Sequence, residues 1–117
     1  MFAAEDNAAN RHVLRVLLEP LAVTLTLVEN GREAVDAMAR EAFDIVLMDA
    51  NMPVMDGLEA TRAIRPLSVP QPRIIAMTAA VTADDAAACY AAGMNDYLPK
   101  PVKLEQLKDA LFRVGAG

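Results

Sequence analysis

The chain has 117 residues, 55% of them hydrophobic and 23% charged, with a formal net charge of −5. That length suits one domain with a real core, and the composition excludes a disordered polymer. The acidic balance argues against electrostatic binding of nucleic acid by this domain. A lone Cys89 cannot form an internal disulfide, no uncharged apolar run approaches membrane-spanning length, and the N-terminus does not read as a signal peptide. A cytoplasmic domain without membrane contact is the expectation.

Taken in order, the chain alternates between strand and helix signals. Met1 to Ala4 is a short apolar run ending in Glu5-Asp6, a first strand below the usual length. A helix follows from about Asn7 to Glu19, with Val13, Leu14, Leu17 and Leu18 as its apolar stripe and Pro20 as its stop. Ala22 to Val28 alternates and is β-branched, so it is a second strand. Asn30-Gly31 turns into a helix over Arg32 to Arg40, with Ala34, Val35 and Met38 inward.

The wholly apolar run from Ile45 delivers Asp49 and then breaks into a loop with Pro53 and Gly57. Such a run reads as a strand buried on both faces. Asp56 and Glu59 have capping-box spacing and open a helix from Gly57 to Ile64. Pro66, Pro70 and Pro72 keep the next linker out of any helix. Arg73 to Thr78 is the fourth strand. Thr82 and Asp85 form a second capping-box pair, opening an Ala-rich helix closed by a left-handed Gly93. Met94 to Leu98 is the fifth strand. A last helix covers Lys103 to Arg113, with Leu104, Leu107, Leu111 and Val114 on one face.

Five strands alternating with five helices predict an α/β, flavodoxin-like (βα)5 three-layer sandwich, a parallel sheet in the order 2-1-3-4-5. The switch point lies between strands one and three, which end in Glu5-Asp6 and Asp49. Thr78 and Lys100 lie at or just past the ends of strands four and five. All five residues therefore fall on one rim, where open α/β sheets bind ligands.

Three clustered carboxylates repel, and Lys100 offsets only one charge. A divalent cation closes the balance, and hard oxygen donors without a placed His or Cys favour Mg²⁺ over Zn²⁺. A carboxylate nucleophile beside such a cation, with Lys100 and the Thr78 hydroxyl at the same rim, suits phosphoryl transfer. The expected product is an aspartyl phosphate on Asp49.

Ala4-Glu-Asp-Asn7, Met48-Asp-Ala-Asn-Met-Pro-Val-Met-Asp-Gly57, Ala76-Met-Thr-Ala79 and Tyr97-Leu-Pro-Lys-Pro101 resemble the four signature blocks of response-regulator receiver domains. The match spans essentially the whole chain. The resemblance implies that Asp49 is the phosphoacceptor and that Glu5, Asp6, Asp49 and the backbone carbonyl of Asn51 hold Mg²⁺. It makes Thr78 and Tyr97 the switch pair and Lys100 the phosphate-sensing lysine, with a cis Lys100–Pro101 bond. Asn51 and Ala80 match positions that tune phosphoryl lifetime in the family.

Such domains serve two-component phosphorelays. The phosphoryl group comes from a histidine kinase or a histidine phosphotransfer domain, and the region from the fourth strand to the fifth then switches to control a partner. The resemblance therefore implies a phosphoacceptor module with its own phosphorylation and dephosphorylation chemistry, not a turnover enzyme. Glu-Asp-Asn followed by Asn10-Arg11, with Gly57-Leu-Glu-Ala-Thr-Arg62, is most similar to receivers of hybrid sensor histidine kinases. Residues 1–117 form one receiver domain without kinase or output segments, so a longer parent chain is expected.

Two rivals of other classes have distinct signatures. An aspartate-nucleophile phosphohydrolase often carries a second acid two residues after the nucleophile, where this chain has Asn51, and would release phosphate from phosphoesters in steady state. A flavin or nucleotide module would need a phosphate-cradling loop after the first strand, where Glu5-Asp6 repels phosphate unless a metal bridges them. Blander readings also exist: Thr78 as a strand-end cap, Tyr97 as a half-buried strand residue, His12 as surface, Cys89 as packing and the Met residues as core filler.

Overall fold

The computed structural model describes residues 1–21, 25–41, 43–50, 55–67, 71–78, 82–100 and 102–112, the side chains of 111 and 112 excepted. Its strands are β1 (Phe2–Ala4), β2 (Thr26–Val28), β3 (Ile45–Asp49), β4 (Arg73–Thr78) and β5 (Asp96–Pro99). Its helices are α1 (Ala8–Leu18), α2 (Gly31–Arg40), α3 (Gly57–Ile64), α4 (Ala83–Ala92) and α5 (Leu104–Phe112). All ladders are parallel, in the order β2-β1-β3-β4-β5. Hydrophobic side chains alternate across this sheet with the strand period of two. Phe2, Ala4, Val46, Met48, Ile74 and Ala76 pack with Ala34 and Met38 of α2, Ala60 and Ile64 of α3 and Cys89 of α4. Ala3, Leu47, Ile75, Met77 and Leu98 pack with Leu14 and Leu18 of α1 and Leu107 and Ala110 of α5. Burying one such large side chain is worth about 1.5–3 kcal/mol, so both faces hold the sheet.

The helix starts follow local chemistry. Asn7 and Asn30 cap α1 and α2 through side-chain oxygens that accept from Asn10 and Glu33 main-chain N–H. Asp56 and Glu59 form the reciprocal box of α3. At α4 the Thr82 hydroxyl accepts from Asp85 N and donates to the Asp85 carboxylate at 2.7 Å, in place of the reciprocal bond expected there.

Three expectations need correction. Val13 is not inward but 44% exposed. The α1 face that turns in is Leu14 and Leu18, with half-buried Arg11 one turn earlier, and helical spacing then puts Val13 on the flank. Leu104 is exposed, and α5 turns Leu107 and Ala110 inward instead. The fifth strand starts at Asp96, not Met94. Met94 N–H donates to Cys89 O and Gly93 N–H to Tyr90 O, a Schellman closure with Gly93 at φ 107°, so this segment ends α4 before pairing can begin. Pro20 lies in a short 3-10 turn over Glu19–Leu21 that prolongs the end of α1. The second strand is described only over Thr26–Val28, residues 22–24 of its expected span lying outside the described residues. Val114 and Arg113, expected in the last helix, lie outside them as well.

One side chain ties α3 to the far end of the sheet. Arg65, just past α3, donates to Gly93 O through Nε (2.8 Å) and Nη2 (2.6 Å), and to Asn95 Oδ1 (2.8 Å). Its Nη1 donates to Gln71 Oε1 (3.1 Å) and Pro72 O (2.9 Å). Sequence reading overlooked it, because an arginine before a proline-rich linker carries no local pattern.

Candidate functional site

Strand register assembles the site. Phe2, Ala3 and Ala4 of β1 lie opposite Val46, Leu47 and Met48 of β3. One step on, Glu5 comes level with Asp49, and its N–H still donates to Val28 O at 3.0 Å. With a period of two, Ala3 and Glu5 share a face with Leu47 and Asp49, the face that α1 and α5 cover. Leu98 of β5 packs on that face, and Lys100 follows it by two residues. The same alternation gives Thr78 and Tyr97 to the opposite face, where Tyr97 packs against the core under α2 to α4.

The side chains converge accordingly. Lys100 Nζ lies 2.9 Å from Asp49 Oδ2 and 3.3 Å from Glu5 Oε2. Glu5 and Asp49 are each 1% exposed, while Asp6 is exposed. Glu5, Asp6 and Asp49 each offer a carboxylate oxygen within 4.8 Å of the others. Thr78 is buried and ends β4, and its carbonyl accepts from Lys100 N–H at 2.8 Å. Half-buried Tyr97 meets Tyr90 edge-on, ring centroids 6.1 Å apart. Asn51, Ala80 and Pro101, and with it the Lys100–Pro101 bond, lie outside the described residues.

The electrostatics are those of crowded acids around one base. Burial alone pushes the Glu5 carboxyl up. Hydrogen bonds with the Asp49 carboxyl and Asn10, together with the charge of Lys100, outweigh it and hold Glu5 below its ordinary 4.5. Burial alone would lower Lys100. Its hydrogen bond and charge pairing with Asp49, then with Glu5, outweigh that and keep the ammonium protonated above the ordinary 10.5. With every acid of the cluster ionised, three carboxylates and one ammonium carry a formal charge of about −2, which a divalent cation neutralises. The donors are all oxygens, with no His or Cys among the acids that cluster. This set therefore fits a hard cation such as Mg²⁺ and fits Zn²⁺ poorly.

Beside the acids lies a cleft of about 300 Å³ lined by Glu5, Asn10, Val13, Leu14, Met77, Lys100 and Val102. Two contacts from α1 had no individual signal in the sequence. Asn10 Nδ2 donates to Glu5 Oε1 at 2.9 Å, and Arg11 Nη1 to the Glu5 carbonyl at 2.8 Å. Their spacing of five and six residues from Glu5 becomes contact only when α1 folds back over the rim.

No helix among the described residues is long and apolar enough to cross a membrane. Similarity to known proteins extends over the same fold. The receiver domain of a sensor histidine kinase from Pseudomonas aeruginosa, solved with a magnesium ion coordinated in its active-site cleft, is 42% identical with a TM-score of 0.87, covering 97% of this chain and 95% of that one. The co-crystal of the Saccharomyces cerevisiae histidine phosphotransfer protein Ypd1 with the receiver domain of its downstream response regulator Ssk1 gives a TM-score of 0.91 at 30% identity, covering 98% of this chain and 87% of that one. Sensor protein GacS of Pseudomonas syringae pv. syringae is 38% identical over 117 residues, 97% of this chain. Signal transduction histidine-protein kinase BarA of Escherichia coli K12 is 37% identical over 118 residues, 100% of this chain. The chain spans 13% of the length of each of these two proteins. Residues 1–112 match the response regulator receiver domain family, and with the parallel 2-1-3-4-5 sheet they make this chain a response-regulator receiver domain, a module of two-component phosphorelays.

Proposed function

We propose that Asp49 is the phosphoacceptor of this receiver, that Glu5, Asp6, Asp49 and the Asn51 carbonyl hold Mg²⁺, and that Lys100, Thr78 and Tyr97 sense the product. The carrying observation is the meeting of Lys100 Nζ with Asp49 Oδ2 at 2.9 Å beside three clustered acids. The magnesium in the 42%-identical receiver supports the choice of ion.

In the reaction an Asp49 carboxylate oxygen attacks phosphorus. A P–O bond forms, the P–N bond of the phosphohistidine breaks, and its electron pair returns to the imidazole nitrogen. The bound cation would supply positive charge to the phosphoryl oxygens. Lys100 leaves its carboxylate partners in part to meet the incoming oxygens, and the Thr78 hydroxyl donates to one of them. Because Lys100 follows β5 directly and Thr78 ends β4, their displacement pulls on the segments flanking α4. Tyr97, packed against Tyr90 of α4, carries that movement to the surface.

The donor is a histidine kinase or histidine phosphotransfer domain, a reading supported by the fold shared with the receiver seen with Ypd1. The parent is a hybrid histidine kinase, in keeping with GacS and BarA, and residues 1–117 form one receiver domain, working in the cytoplasm as a phosphoacceptor. The test is intact-protein mass spectrometry after acetyl phosphate with Mg²⁺. One phosphoryl group should add to the native chain and none to Asp49→Asn or to native chain in EDTA. Equal gain in Asp49→Asn removes Asp49 from the role.

A further inference from the structure

A carboxylate only 1% exposed beside two more acids needs donors that fix its rotation. Glu5 finds them on α1. Its Oε1 accepts from Asn10 Nδ2 at 2.9 Å and, more distantly, from Asn7 N at 3.4 Å. Its Oε2 faces Lys100 Nζ at 3.3 Å. The main chain of Asn10 is held in the capped first turn, where its N–H donates to Asn7 Oδ1 at 3.0 Å. The main chain is held as well: Arg11 Nη1 donates to the Glu5 carbonyl while Nη2 pairs with Glu29 at 3.3 Å.

We propose that Asn10 is a positioning residue for the cation site: its amide commits Glu5 Oε1 to α1 and leaves Oε2 to face the acid cluster. This rests on the reading of Glu5, Asp6 and Asp49 as the cation's ligands. A carboxylate free to rotate presents either oxygen and loses orientation when a cation binds. One held from outside is already set, and outer contacts of this kind are worth roughly 10–100-fold in metal affinity. Asn10 suits the task because its amide NH2 donates without adding charge to a site already rich in acid. An aspartate at that position would add repulsion instead.

The experiment is an Mg²⁺ titration of the whole chain followed by amide NMR, which needs no phosphoryl transfer. Asn10→Leu keeps the branched shape and heavy-atom count and removes the donor, and Asn10→Ala serves if the leucine variant fails to fold in EDTA. The dissociation constant should rise about tenfold. In a Glu5→Gln background the same change should have no further effect, because the coupling runs through that carboxylate. Unchanged affinity in the Asn10 variants, with Glu5→Gln weakened, overturns the role of Asn10 alone. Equal, additive losses in both backgrounds also overturn it, since Asn10 then acts elsewhere. If Glu5→Gln and Asp6→Asn both bind Mg²⁺ as the native chain does, the cation reading falls, and the proposal with it.

Discussion

Replacing Arg65 by alanine should cost the domain about 3 kcal/mol while leaving its chemistry intact. The guanidinium makes two bonds to the Gly93 carbonyl and one to the Pro72 carbonyl, plus one each to Asn95 and Gln71. Asn95 and Gln71 are exposed, so water replaces the arginine there at little cost. The two main-chain carbonyls matter more. Charged hydrogen bonds contribute about 1.5–3 kcal/mol each, and Nε and Nη2 share one acceptor, so we count two acceptors at the low end of that range. For a domain near this size, 3 kcal/mol shifts the melting temperature by roughly 10 °C. Urea unfolding followed by circular dichroism gives the number directly, provided the m value is unchanged. Arg65→Lys should recover little, since a single ammonium cannot span Gly93 and Pro72. These contacts lie at the amino-terminal ends of β4 and β5, whereas Asp49 closes the carboxyl end of β3. Phosphorylation by acetyl phosphate should therefore stay within about twofold at a temperature where both proteins are folded. A loss below about 0.5 kcal/mol would refute the argument that this guanidinium pins the α4–β5 turn to α3.

Three further outcomes are expected. In Mg²⁺-free buffer Lys100, whose pKa is raised, stabilises fully below its unfolded value near 10.5 and loses that contribution as pH climbs through the folded value. Glu5, lowered, contributes above its ordinary 4.5 and loses it as pH falls through the folded value. Urea midpoints against pH should show both limbs in the native chain, and Lys100→Met should lose the alkaline one. Gly57→Ala drives a Cβ into the Asp49 carbonyl oxygen and to 2.9 Å from Met48 Cγ, so it should destabilise by about 2 kcal/mol and slow phosphorylation of Asp49; an unchanged urea midpoint counts against that close approach. Ala9 and Val16 are exposed on α1, and Ala9→Arg or Val16→Glu should slow phosphotransfer from a histidine phosphotransfer protein about tenfold while acetyl phosphate reacts as before. Equal rates with the protein donor take α1 out of that interface.

Most of the candidate site was legible because its residues sit where strands end. Asp49 closes a wholly apolar run, and Glu5-Asp6 follow another, so topology alone brings them to one rim. The capping residues Asp56 and Thr82 and the left-handed Gly93 were equally readable, since each acts within three or four residues of itself. Two of the three errors came where a helix must choose its inward face. Val13 and Leu104 are as apolar as their buried neighbours, and periodicity alone gives a stripe wider than the face that packs.

The sequence by itself determined the order and kind of the elements, the parallel sheet and the acids at its edge, because hydrophobic period and local caps act over short spans. Tertiary structure decided what no local span contains. It set the pairing of Lys100 with both Asp49 and Glu5, the division of Lys100 from Thr78 and Tyr97 between two faces of the sheet, the clamp of Asn10 and Arg11 on Glu5 and the reach of Arg65 across 28 residues to Gly93. These contacts join groups of low individual signal, and only packing of α1 and α3 against the finished sheet brings donor and acceptor within hydrogen-bond range.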